Sequence, residues 1–283
     1  MRIQRNSPLA PYTTLKVGGP AEALAAVSTA SEMGEALRWA RERGLPHLVL
    51  GKGSNILFAD EGFPGLVIVS EITHLEQQGP RFRVGAGYPF TRLGIQTARL
   101  GYTGLEFASG IPGSVGGAVY MNAGAAGQET ADTLELVEVL TSGGESRHYR
   151  REELVFSYRT SPFQNRDEAI VSATFCLREE GGARERQREY LIRRQKSQPL
   201  TECSAGCFFR NPEGTSAGAL IDRCGLKGLS EGPIAISDLH ANFLVNRGGG
   251  TAAQVRSLSA RIKGEVKRQT GVDLHEEVRY ISG

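Results

Sequence analysis

The stretch GLEFASGIPGSVGGAVYMNAGAAG, residues 104–127, carries seven glycines in 24 positions, at 104, 110, 113, 116, 117, 124 and 127. That density is too high for a regular helix or strand, because glycine loses more backbone freedom on ordering than any other residue. The residues between the glycines are too apolar for a flexible linker. Such a segment reads as a built loop whose backbone approaches something closely. The whole chain shows the same bias, with 36 glycines in 283 residues against ordinary usage of about 7%.

Outward from this segment, helical and strand periodicities are mixed without a strict repeat. On the N-terminal side, Met33, Leu37 and Ala40 recur at helical spacing over 31–43, with Ser31 able to cap and Gly44 to terminate. A buried strand follows at 48–50 and another at 65–69, separated by the turn GKGSN at 51–55. Phe90, Leu93, Thr97 and Leu100 mark a second helix. On the C-terminal side, strand-like 134–141, a Gly143-Gly144 turn and the alternating 169–177 predict antiparallel sheet. The run EEGGARERQRE at 179–189 is the steepest change of composition, read as a domain boundary or else as a solvated helix face. Ser216 opens a helix closed by Gly225, Thr251 opens another running to Gly271, and 274–281 reads as a last strand. The pattern predicts an α+β protein in three parts, 1–70, 71–180 and 181–283, with the last strand free to return to the first part.

Thirty-three basic against 31 acidic residues leave +2, too balanced for a chain held to nucleic acid by its overall field. No apolar run is long enough to span a bilayer and the first residues lack the apolar core of a leader, so no membrane insertion and a cytoplasmic location are expected. Four cysteines make no disulfide scaffold, and Cys203 with Cys207 lacks the second half of a zinc site, so no metal is expected. Neither the dinucleotide fingerprint nor the Walker A pattern occurs. Residues 214–218 do satisfy G-x-S-x-G, with Asp238 and His240 downstream in hydrolase order. Against a hydrolase, Ser216 opens an amphipathic helix, where an N-cap explains it, and no oxyanion-forming glycine motif accompanies it.

The glycine-rich segment, preceded by LGKGSN (50–55) and followed by FSYRTSPF (156–163), closely resembles the FAD-binding half of the UDP-N-acetylenolpyruvoylglucosamine reductase family. YTTLKVGGPA (12–21), SAGCFFRNP (204–212), AGALIDRCGLKG (217–228), HANFLVN (240–246) and LHEEVRYI (274–281) are similar to further family blocks in family order. The resemblance covers nearly the whole chain and is closest to the shorter branch without an inserted tyrosine-bearing lid. It implies an FAD-binding fold of the vanillyl-alcohol-oxidase/PCMH type in two lobes, 1–70 and 71–180, with a C-terminal α+β substrate-binding domain. It implies FAD bound non-covalently, NADPH as reductant, and reduction of the enolpyruvyl group of a UDP-sugar in peptidoglycan precursor synthesis. The rival classes are a serine hydrolase built on Ser216 and a non-catalytic flavin- or nucleotide-binding module.

Residue roles follow from the same resemblance. It places Gly51, Lys52, Gly53, Ser54, Asn55, Gly110, Ile111, Gly113, Ser114, Gly116, Gly117 and Arg279 at the cofactor. Amide groups in 51–55 and 113–117 suit a buried pyrophosphate, since glycine puts no Cβ in the way. Arg159 is expected to stabilise the charge that develops on the substrate carboxylate, with Glu277 assisting. Cys207 stands where many relatives carry serine and is expected to donate the proton, a thiol being the stronger acid at a pKa of about 8.5. Gln198, Asn211 and Asn242 are expected to hold the sugar nucleotide.

Overall fold

The apolar runs at 48–50 and 65–69 become neighbouring parallel strands, His47–Leu50 and Phe63–Ser70, paired from His47↔Leu66 to Leu50↔Val69. In the computed structural model, which describes the whole chain from Met1 to Gly283, they complete a four-stranded sheet. Its order is Ile3–Pro8, Pro20–Val27, Phe63–Ser70, His47–Leu50. Helix α1 (Ala30–Glu42) covers it, burying Met33, Ala36, Leu37 and Ala40 among Ala23, Ala25, Val27, Leu66 and Ile68. The helix starts earlier than the spacing predicts. Thr29, not Ser31, is the N-cap: it is extended, and its Oγ1 accepts the Glu32 N–H at 3.2 Å while Glu32 accepts from Ser28 N–H.

The predicted antiparallel sheet has five strands, in the order Ser146–Arg150, Leu134–Thr141, Glu168–Cys176, Arg81–Gly85, Leu75–Gln78. Val137, Val139, Ala173 and Phe175 face a core with α2 (Phe90–Arg99) and α3 (Val115–Met121), which contribute Phe90, Leu93, Val115 and Val119. The charged run at 179–189 is largely α4 (Ala183–Ser197), a solvated helix with only Ala183 and Gln187 buried. Its Arg186 reaches back to the buried Glu106 at 3.1 Å.

The five-stranded sheet and most of the four-stranded one belong to one compact unit, Met1–Arg5, Ala23–Lys52 and Gly65–Arg193. A second unit gathers Asn6–Glu22, Gly53–Pro64 and Arg194–Gly283. Its sheet runs Ser204–Cys207, Phe243–Asn246, Ile234–Ile236, Ser230–Glu231, packed under α5 (Ala217–Arg223) and α6 (Ala252–Thr270). Leu15, Val17 and Leu57 lie in the same core as Leu220, Ile221, Val255, Leu258 and Ile262. Asn246 Nδ2 donates to Leu15 O, and Asp60 accepts the Ala252 and Ala253 N–H groups at the start of α6, so polar bonds fasten distant stretches together. No helix is long and apolar enough to cross a membrane.

The last strand is shorter than 274–281. Arg279–Ile281 forms the strand, parallel to Ile56–Phe58, and Glu276 before it makes an isolated antiparallel bridge to Phe209. The residues before it run along a different edge, where His275 O accepts from Arg210 N–H and Glu277 N–H donates to Phe208 O. The segment changes partners at Val278.

Candidate active site

The GKGSN turn leaves the end of His47–Leu50, and the boundary between the two units falls between Lys52 and Gly53. A Cβ at Gly51 would lie 2.1 Å from Ser114 Oγ, so glycine is required there by the glycine-rich segment itself. Ser114, buried, is the N-cap of α3 and accepts the Gly117 N–H at 3.3 Å. Val115 N–H donates to Tyr88 O and Gly116 N–H to Ala86 O, at 2.9 and 2.8 Å. The expected cradle of amides across 113–117 is narrowed accordingly: the amides of 115, 116 and 117 have protein acceptors. Gly116 is glycine because a Cβ would press on Ala86 Cβ at 2.9 Å, whereas a Cβ at Gly117, which is exposed, would meet only Ser114 Oγ at 3.4 Å.

In the same unit, Arg159 sits in a two-residue turn closed by Ser157 N–H to Thr160 O and Thr160 N–H to Ser157 O. Its φ of +55° is left-handed, a region bulky residues enter only when the surroundings fix them. Nη2 donates to Gly124 O at 3.1 Å and the guanidinium lies 4.8 Å over the Tyr158 ring. Asn122, buried and left-handed at the end of α3, donates from Nδ2 to Ser157 O. The turn of Arg159 and the helix opened by Ser114 are therefore one construction.

The second unit brings Cys207, Glu277, Asn55, Arg279 and Asn242 together. Cys207 ends Ser204–Cys207 opposite Phe243, after a register shift between Ser204 and Cys207, where Gly206 has φ +77°. Glu277 N–H is bonded to the next residue, Phe208. Asn55 holds both sides of Val278: Nδ2 donates to Glu277 O and its own carbonyl accepts from Arg279 N–H. Burial lowers the Arg279 pKa from its ordinary value, as for a guanidinium held away from water.

Asn242 is engaged differently from the expectation. It is 2% exposed, with Oδ1 accepting Phe209 N–H and Nδ2 donating to Phe209 O, so its amide is taken up in fixing the main chain beside Cys207. Asn211 is exposed and accepts the Ala217 N–H at the start of α5 through Oδ1, while the buried Oε1 of Gln198 has no partner in the chain. The hydrolase constellation does not form. Ser216 Oγ accepts the Ala219 N–H as an N-cap, and His240 Nδ1 accepts from Asn242 N–H. Burial, joined by the charges of Lys227 and Arg194, holds His240 below its ordinary pKa. No cluster of three metal-binding side chains exists.

Residues 21–150 match the family model described as an FAD binding domain, and residues 198–281 match the C-terminal domain of UDP-N-acetylenolpyruvoylglucosamine reductase. The UDP-N-acetylenolpyruvoylglucosamine reductase of Protochlamydia amoebophila is 49% identical over 281 residues, 99% of this chain and 94% of that protein. The chain belongs to the UDP-N-acetylenolpyruvoylglucosamine reductase family. The reductase of Chlamydia pneumoniae is 45% identical over 280 residues, covering 99% of this chain and 92% of its own. The crystal structure of the family's Thermus caldophilus member aligns with a TM-score of 0.85 at 41% identity over 99% of both chains.

The residues of the first unit fit the flavin that this family's FAD-binding domain implies. Ser109 is wholly buried within the glycine-rich segment, and its Oγ has no hydrogen-bond partner in the chain. An orphaned buried hydroxyl is costly unless a ligand completes it. Gly110 and Gly113 beside it hold φ of +85° and +153°. Two supporting residues had no sequence signal as such, and a third, Asn55 of the GKGSN turn, has a partner that no sequence signal indicated. Asn55 acts across 222 positions on Glu277, Asn122 anchors the Arg159 turn, and Glu106 gathers Thr103, Gly104 and Arg186.

Proposed function

We propose that this protein reduces the enolpyruvyl double bond of UDP-N-acetylglucosamine enolpyruvate, giving UDP-N-acetylmuramate for peptidoglycan precursors, with NADPH as reductant. What carries the reading is 49% identity over 99% of the chain to a reductase of this name. FAD, bound non-covalently by lobes 1–70 and 71–180, supplies hydride transfer between NADPH and substrate. Gly51, Lys52, Gly53, Ser54, Asn55, Gly110, Ile111, Gly113, Ser114, Gly117 and Arg279 hold it, Gly116 serving by close packing on Ala86. Arg159 neutralises the negative charge that grows on the substrate carboxylate, and Glu277 assists. Cys207 delivers the proton to the inner carbon. Residues from 181 onward hold the sugar nucleotide through Gln198 and Asn211, with Asn242 fixing the Phe209 main chain two residues before Asn211. The reaction is placed in the cytoplasm, where nucleotide sugars and NADPH are made.

The test is spectroscopic. Purified protein is expected to be yellow, to bleach on anaerobic addition of NADPH and to recover its colour with the enolpyruvyl sugar nucleotide. A flavin that bleaches but is not reoxidised by this substrate would overturn the assignment.

A further inference from the structure

Three acceptors converge on one side-chain nitrogen beside Arg159. Gln164 Nε2 lies 3.0 Å from Arg159 O, 3.0 Å from Tyr120 O and 3.7 Å from Met121 Sδ. Tyr120 O also accepts from Ser161 Oγ at 2.7 Å. Tyr120 and Met121 end α3, the helix that Ser114 opens within the glycine-rich segment. The Arg159 carbonyl belongs to a left-handed residue whose turn has one closing pair of its own, so its orientation depends on what grips it from outside.

We propose that Gln164 is a positioning residue for the reduction: its carboxamide ties the Arg159 main chain to the end of α3 and so fixes the direction in which the guanidinium is presented. The inference rests on Arg159 being the cation for the substrate carboxylate. The bonds ask for N–H donors at the tip of a side chain of this length, not for an amide as such. Lysine, one bond longer, supplies three donors; glutamate has the same shape, supplies none when ionised and opposes both carbonyls; leucine fills the volume without a bond.

The holoenzyme and its Gln164→Leu, Gln164→Glu and Gln164→Lys variants are compared for flavin content, reduction by NADPH, reoxidation by the enolpyruvyl sugar nucleotide, and hydrogen exchange over 156–164. Misplacing a reacting group by about 1 Å can cost roughly 100-fold, so reoxidation is expected to slow about 10- to 100-fold in the leucine form and further in the glutamate form. The lysine form should stay within about 3-fold of wild type, and reduction by NADPH within about 2-fold in all three, on the same positioning argument. Exchange should quicken in the leucine and glutamate forms alone. Wild-type reoxidation in the leucine form, failure of lysine to rescue, or equal slowing of both half-reactions would overturn the proposal and leave Gln164 as packing. Should the leucine form lose its flavin, the contrast of glutamate with lysine decides. Arg159→Ala run in parallel separates the two readings. A slow Arg159→Ala with a normal Gln164→Leu overturns only the role of Gln164, whereas unchanged reoxidation in Arg159→Ala overturns the assignment of Arg159 on which it rests.

Discussion

Cys207 and Glu106 are two small-scale choices whose consequences can be measured separately. Cys207→Ser keeps a side chain of similar size with a transferable proton and should remain active. Cys207→Ala removes the proton, and since general acid catalysis is worth about 100- to 10,000-fold, its turnover should fall at least roughly 100-fold. In D2O the alanine form should also place deuterium at the hydride-accepting carbon of recovered substrate, because an unprotonated intermediate can return its hydride to a flavin that exchanges with solvent. Near wild-type turnover without such exchange would make Cys207 a packing residue. Glu106 concerns stability. Burial raises its pKa, but bonds from Thr103 Oγ1, Gly104 N–H and Arg186 outweigh this and bring the carboxyl below its ordinary 4.5. A carboxylate with a depressed folded pKa stabilises above its unfolded pKa, and that contribution fades as pH falls through the lower folded value. Glu106→Gln should therefore cost roughly 1–3 kcal/mol near pH 7, on the scale of hydrogen bonds to a charged group, and progressively less in acid. Urea unfolding of both forms at neutral and acid pH measures this, and a difference that does not shrink with acid refutes it.

Helix α3 shows how neighbouring glycines do different work within one element. Gly116 is closed off by Ala86, and Gly117 faces outward. Gly117→Ala meets ordinary contact distances and removes a glycine from a helix, so the cofactor-free protein should gain about 0.5–1 kcal/mol. If the cofactor approaches that backbone as proposed, the same substitution should weaken FAD binding, a gain in apo stability alongside a loss of colour. Gly116→Ala should instead lower apo stability, since Ala86 lies 2.9 Å from the new Cβ. Thermal melts of the apo forms and flavin titration distinguish the two, and full FAD affinity in Gly117→Ala would remove Gly117 from the cofactor set. The helix starts at Ser216 and Thr251 were legible because an N-cap is a local event, a hydroxyl bonding an amide three residues on. The start of α1 lies two residues before the one the spacing predicts because Ser31 and Thr29 are equally suitable caps, and only the extended backbone at Thr29 chooses between them.

For the whole molecule, the composition break at 179–189 suggests a C-terminal part from 181 onward with only its last strand free to return to the first part, whereas the structure builds its second unit from three separated stretches. Leu15, Val17 and Leu57 supply part of that unit's core, Ile56–Phe58 pairs with the last strand, and Asp60 caps α6. A fragment of residues 194–283 loses all of these. It should be largely unfolded, with a collapsed amide spectrum by NMR and little near-ultraviolet circular dichroism, while full-length protein is ordered over the same residues. A dispersed spectrum from the isolated fragment would show that the contributions of 6–22 and 53–64 are dispensable.

The sequence by itself determined the α+β class, the antiparallel character of the sheet that holds 134–141 and 169–177, the helix starts at Ser216 and Thr251, and the family blocks. These are properties of short stretches, written in periodicity, in capping hydroxyls and in glycine placement. Tertiary structure alone decided which amides of 113–117 already have acceptors, that the Asn242 amide serves Phe209, that the terminal block changes partners at Val278, and that Gln164 grips Arg159. Asn55 and Glu277 stand 222 residues apart, and no local pattern encodes a bond between them. A polar side chain reads the same in sequence whether it faces solvent, a ligand or a distant carbonyl, because its pattern reports its own surroundings along the chain and its partner is fixed only when the chain closes on itself.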